Sequence, residues 1–225
     1  MKWLGVLLAV AVAVIVIYKV NYPSYSYRYR LQVSIAVDEK IYTGSSVIEV
    51  VWDCGPKIAG LGRCAPSLGG PATLIDLGAH GVIVATLRSG ENISPTPDGA
   101  IDAVWLCASA FGYRSTNEEL PALPHLTGRR NLSVSNLPRL VWFVNPADMK
   151  SAQKVTFLNV ASVFDPTAHF TEAFVEITRD PIVVDIPNKL PWFSELRRLQ
   201  KEGKGTLSKS GQFQLVYNMF VGENS

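Results

Sequence analysis

The sequence predicts an α+β fold that is predominantly β: an N-terminal transmembrane helix, then a mainly antiparallel sheet domain with a few short helices. Three observations carry this. Trp3 to Tyr18 holds no charge and no proline. Ser24 to Asp38 alternates apolar and polar side chains with the period of two that marks a half-buried strand. Beyond it, short apolar runs recur between clusters of Gly, Pro and Asp, as strands between turns do. The expected organisation is an anchor over residues 1–20 and a β-rich domain over residues 21–225.

The first segment lies between two classes. A spanning helix needs roughly 20 apolar residues and a secretory core roughly 7 to 15. With Lys19 snorkelling and Val20 included, the stretch can just cross a thin bilayer. Ala11-Val12-Ala13 has the small-x-small form of a cleavage site. Cutting there would leave Val14 to Tyr18 as a greasy new terminus, so an uncleaved anchor is expected. A core helix of a soluble domain would carry polar residues at helical spacing, and this run has none. Lys19, Arg28 and Arg30 follow the segment, which by charge alone favours a cytoplasmic domain. The minimal tail before Trp3 and the cysteine usage favour export. The expectation is a single-pass inner-membrane protein, anchored through Trp3–Tyr18, with its domain in the periplasm.

Hydrophobic content of 48% against 18% charge describes a folded chain. A net charge of +2 offers no electrostatic footprint for nucleic acid, so no nucleic-acid partner is expected. Of three cysteines, Cys54 and Cys64 bracket a Gly- and Pro-rich loop. In an oxidising compartment they can form a disulfide; in the cytosol they stay two thiols. Zinc is not expected, because the spacing is wrong and no His-x3-5-His follows. Cys107 sits in an apolar run and reads as a buried small hydrophobe.

The strand from Ser24 points Tyr27, Tyr29, Leu31, Val33, Ile35 and Val37 one way. Asp38-Glu39-Lys40 turns the chain into a second strand, Tyr42 to Trp52, and the two form a hairpin. The cysteine loop leads to Ala72–Leu77, which pairs with Val82–Leu87 across Gly78-Ala79-His80-Gly81. Residues 89–99 read as a loop. Asp98 is placed to cap a helix running to Phe111, ended by Gly112; a strand through Ala103–Ala108 is the alternative. Residues 113–138 read as a long surface loop or linker. Leu140–Val144 reads as a strand buried on both faces, and Pro146–Lys150 as one helical turn. Val155–Leu158 and Ala173–Thr178 are expected as strands. Val160–Phe164 is expected as a short helix or turn, and Pro191 to Gln200 as a helix. Phe213, Leu215, Tyr217, Met219 and Val221 alternate, predicting a last strand.

Two stretches, YRYRLQVSIAVDEKIYTGSSVIEV (Tyr27–Val50) and VEITRDPIVVDIPNKLPWF (Val175–Phe193), resemble segments of an uncharacterised proteobacterial family of small single-pass membrane-anchored proteins. The resemblance covers about a fifth of the chain. It implies a membrane location and a β-rich fold, and it carries no activity and no site residue.

Catalytic signatures are not found. Gly203-Lys204-Gly205-Thr206 lacks the spacing and the preceding strand of a phosphate loop. Gly60-Leu61-Gly62 stands alone. Ser46 in Gly44-Ser45-Ser46 lacks the second glycine of a nucleophile elbow and reads as a strand residue. His80, His125 and His169 lie far apart, each expected in solvent; a cluster such as His80, Asp76 and Glu49 forms only if the fold gathers it. Arg197, Arg198, Lys201, Lys204 and Lys209, after Trp192 and Phe193, form either a solvated helix face or a surface for anionic lipid. Asn92 and Asn131 stand in sequons by pattern only. No cofactor is implied. The expected role is a protein-interaction or assembly module with a protein partner. The alternative is a small hydrolase or ligand-binding domain whose site assembles from distant residues.

Overall fold

The computed structural model describes residues 2–56, 63–88, 100–133, 137–203, 206–207 and 214–222. The first element is a helix, α1 (Lys2–Asn21). The side chains of Lys2, Leu4, Gly5, Leu8 and Ala9 lie outside the described set. Judged on what is described, no helix is long and apolar enough to cross a membrane. The side chains that are described stand free of the domain, with Trp3 83% and Ile17 61% exposed. The Asn21 side-chain amide donates to the Ile17 carbonyl and ends the helix.

Two residues later the chain enters β1 (Ser24–Val37), which returns as β2 (Lys40–Cys54). Asp38 and Glu39 both have positive φ, 48° and 65°, the backbone of a two-residue hairpin turn whose twist matches the strands. The alternation from Tyr27 to Val37 works as expected. All six apolar residues on that face are buried, and Ile48, Val50 and Trp52 join them from β2.

This hairpin is the centre of a five-stranded antiparallel sheet ordered β3-β2-β1-β9-β6. Its other members are β3 (Cys64–Gly69), β9 (His169–Ile177) and β6 (Arg129–Asn131). Two of these correct the sequence reading. Beyond the cysteine loop, whose residues 57–62 lie outside the described residues, Cys64 opens the strand β3 and stands opposite Cys54. The long stretch 113–138 is not only loop: it holds a 3-10 turn at Leu120–His125 and the edge strand β6. Neither edge carries an alternating apolar pattern, because each has one neighbour and little to bury.

A second antiparallel sheet has the order β4-β5-β7-β8, formed by β4 (Thr73–Asp76), β5 (Val82–Ala85), β7 (Leu140–Phe143) and β8 (Ala152–Val155). β7 is buried throughout, as its apolar run predicts, but β8 precedes the expected Val155–Leu158. There Phe157 leaves the sheet to stack on Phe170, and Leu158 is exposed in a turn held by Asn159. Both sheets contribute to one hydrophobic core. They meet where β4 crosses β2. A Cβ at Gly44 would lie 2.1 Å from the Leu74 carbonyl oxygen, so only glycine fits there. Beside it the Ser46 and Thr73 hydroxyls share a hydrogen bond of 2.6 Å.

Helices cover the sheets. The helix α2 (Ala103–Ala110) packs Trp105 on Trp52 and receives the Tyr29 hydroxyl on the Ala103 carbonyl at 2.6 Å. The strand alternative for this segment is excluded. The expected cap, Asp98, and the loop 89–99 lie outside the described residues. One-turn helices α3 (Val160–Val163) and α4 (Ile186–Lys189) precede α5 (Phe193–Lys201). The expected last strand is corrected: β10 (Thr206–Leu207) and β11 (Gln214–Leu215) form a minimal ladder, and Tyr217–Met219 is a 3-10 turn. Met219 and Phe220 are both fully buried. A strand would send these neighbours to opposite faces, whereas the helical turn leaves both in the core, Phe220 against Phe143, Trp192 and Phe193.

Candidate functional site

Where α4 approaches the crossing of β2 and β4, a pocket of about 150 Å³ opens. Its apolar wall comes from Leu74 on β4, Val82 on β5 and Ile186 on α4, and its polar rim from Ser45, Asp76 and Lys189. Positions alternate along β4, so Leu74 and Asp76 share one face while buried Ile75 takes the other. The Lys189 ammonium donates to the Asp76 carboxylate at 2.7 Å, and the Gly78 N–H donates to the same carboxylate at 3.0 Å. The Lys189 bond first, then the Gly78 N–H, hold the Asp76 carboxyl below its usual range. Asp76 in turn raises Lys189, so the ammonium stays protonated.

That assignment limits the chemistry. A serine nucleophile needs a neighbouring base free to accept its proton. Here the ammonium is protonated, both lining carboxylates are engaged, Asp76 by Lys189 and Asp185 by the Asn188 amide at 2.5 Å, and the Ser46 hydroxyl is committed to Thr73. No histidine lines the pocket. Its size is well below the roughly 300–1,000 Å³ of drug-sized ligand sites. It fits one side chain or a very small molecule.

The dispersed candidates stay dispersed. His80 lies at the tip between β4 and β5, its ring edge on Phe164 and its carbonyl accepting the Trp142 indole N–H. Asp76 goes to Lys189, and Glu49 goes to Arg28 at 2.8 Å, so the three do not form a cluster. His125 and His169 are exposed. Among the described residues no group of three His, Cys, Asp or Glu side chains gathers to hold a metal. Arg198 bridges Glu195 and Glu202 along α5, and Arg197 lies over the Tyr217 ring. Lys204 and Lys209 lie outside the described residues, as do Gly60-Leu61-Gly62.

Cys54 and Cys64 are bonded, with Cα atoms 3.9 Å apart. The bond closes the end of the sheet next to α1. There the Cys54 N–H donates to the Pro23 carbonyl and the Arg63 guanidinium to the Asn21 carbonyl. Ser24 and Asp53 are also hydrogen-bonded, at 2.5 Å. Cys107 is buried and free, and burial pushes its thiol well above the ordinary range, so it is no nucleophile.

Sequence reasoning missed the Asp76–Lys189 pair and the segment Thr178–Asp185 beside it. This segment has no regular secondary structure and leaves Val183 68% and Val184 43% exposed. The available signal was Ile182-Val183-Val184, a strand-forming run directly after a proline. Set against models of protein families, curated proteins and solved structures, the chain matches none of them.

Proposed function

We propose that the chain is a membrane-anchored interaction module whose β-rich domain is displayed at the outer face of the inner membrane. The observation that carries this reading is the junction between α1 and the sheet. An apolar helix of 20 residues leads into β1 with only Tyr22 and Pro23 between. At about 1.5 Å per residue its 20 residues measure about 30 Å, and Trp3–Tyr18 carries no charge. Its described side chains find no cover on the domain, and the disulfide end of the sheet is fastened to its last turn. The disulfide favours an oxidising compartment over the cytosol.

An interaction role is favoured over catalysis because the pocket has no free base and the histidines sit apart. Sheet edges and unpaired strand-like segments are natural docking sites. A phosphatase fused after Ser225 should be active, since that enzyme folds only after export. Fluorescence from a reporter that matures only in the cytosol would overturn the orientation. Recovery of the chain in the soluble fraction, with residues 1–20 intact, would overturn the anchor. The competing reading, a hydrolase or small-ligand domain, predicts turnover or ligand-induced stabilisation that Lys189→Met abolishes.

A further inference from the structure

The segment between β9 and α4 has strand chemistry without a strand's partners. Its sequence, Arg179-Asp180-Pro181-Ile182-Val183-Val184-Asp185, places three β-branched residues in a row. Such residues favour an extended pleated backbone. The main-chain groups of Ile182, Val183 and Val184 have no hydrogen-bond partner among the described residues. An unpaired run of this kind is a template for strand addition.

The charges identify what pairs with it. Arg179 and Asp185 stand three residues either side of Ile182, and both are exposed; one Asp185 carboxylate oxygen accepts from the Asn188 amide at 2.5 Å, and the carboxylate keeps its second oxygen for a partner. Arg179 has no ion pair among the described residues. In an antiparallel pairing of the segment with itself, centred on Ile182, each Arg179 lies directly opposite the other copy's Asp185. The same register handles the proline. Hydrogen-bonded and non-hydrogen-bonded pairs alternate along an antiparallel ladder. When the Ile182 pair exchanges hydrogen bonds, Pro181 and Val183 face each other in a non-bonded pair, where a missing N–H is harmless. Asp180 and Val184 then form the next bonded pair. The Asp180 N–H already meets the Thr178 hydroxyl at 3.1 Å, so here the ladder uses the Val184 N–H and the Asp180 carbonyl. Arg179 and Asp185 fall in a non-bonded pair, whose side chains approach most closely.

We propose that residues 179–185 pair with the same segment of a second copy of this chain, antiparallel about a two-fold axis at Ile182. The inference rests on the reading of the domain as an interaction module and names its partner. The interface is isologous, as closed symmetric dimers require. A strand from an unrelated protein would have no reason to match a charge pattern that is complementary to itself.

The test uses the full chain in detergent micelles and in lipid nanodiscs, with mass measured by sedimentation. The wild type should be dimeric. Arg179→Asp or Asp185→Arg alone sets like charges opposite each other twice per dimer and should raise the dissociation constant about tenfold or more. The double reversal restores both pairs and should restore the dimer, which distinguishes this contact from one made by α1. Val184→Pro should abolish dimerisation, whereas Val183→Pro should leave it intact. Ile182→Cys should form a covalent dimer on mild oxidation. Unchanged near-ultraviolet circular dichroism would show that each variant is folded. A monomer at every concentration, or a double reversal that fails to restore the dimer, overturns self-pairing. A different protein captured at this segment by cross-linking in membranes would also overturn it while leaving the module reading intact. No cross-linked partner of any kind would remove both.

Discussion

Two tyrosines on one strand should respond oppositely to the same substitution. Tyr27 and Tyr29 both point from β1 into the core, 6% and 0% exposed. The Tyr29 hydroxyl donates to the Ala103 carbonyl at 2.6 Å, tying the first sheet to α2. The Tyr27 hydroxyl is buried with no hydrogen-bond partner among the described residues. Removing one half of a satisfied buried bond costs about 1 kcal/mol, and removing an unsatisfied buried hydroxyl returns a similar amount. Tyr29→Phe should therefore destabilise the fold by about 1 kcal/mol and Tyr27→Phe should stabilise it by about as much. A difference of about 2 kcal/mol between the variants corresponds to about 4–8 °C in melting temperature for a domain of this size. Thermal unfolding of the detergent-solubilised chain, followed by near-ultraviolet circular dichroism, reads this directly. Burial also holds both phenols well above the ordinary tyrosine range, so neither should ionise before the protein unfolds in alkali. Equal destabilisation by the two substitutions would refute the reasoning. It would mean that the Tyr27 hydroxyl is bonded in solution.

Other perturbations follow from the same geometry. Cys54→Ser with Cys64→Ser opens a short loop and should lower stability by about 3 kcal/mol, checked by denaturant titration with and without reductant. Gly44→Ala drives a methyl into the Leu74 carbonyl and should cost about 1–3 kcal/mol, with the strain felt at both sheets. The folded state holds the Asp76 carboxyl low through Lys189, so its contribution is present above the unfolded carboxylate range. That contribution is lost as pH falls through the lowered value. Because the pair is largely exposed, Asp76→Asn should remove at most about 1 kcal/mol at pH 7 and flatten the acid side of the stability profile.

The long hairpin was legible because its two strands carry their own information. Alternation names the buried face, and Asp38-Glu39-Lys40 marks the reversal. β7 was legible for a different reason: Leu140 to Phe143 is apolar on both faces, and both faces are covered. β3 and β6 were not legible. Pro66 stands opposite Trp52, and Arg129 and Arg130 offer no apolar face, so their pairing is imposed by β2 and β9. Arg129 is held by stacking its guanidinium over Phe174, a contact that local pattern does not encode. The C-terminal alternation misled because period two was present while the core needed two successive residues, Met219 and Phe220, on one side. The candidate pocket was equally hidden. Asp76 and Lys189 lie more than a hundred residues apart, and only the crossing of β4 with α4 joins them.

The short join between α1 and β1 sets how far the domain can travel. Two connecting residues reach about 7 Å at full extension, and the Pro23 and Asn21 carbonyls are already clamped by Cys54 and Arg63. With α1 in a bilayer, the domain cannot swing over a hemisphere as a body on a flexible stalk would. On the proposed anchoring it would be confined to a thin layer against the lipid, with lateral diffusion and helix tilt as its main freedoms. Neighbours so anchored would meet with two of three rotational axes already aligned, and weak contacts between domains that are negligible in dilute solution would then suffice.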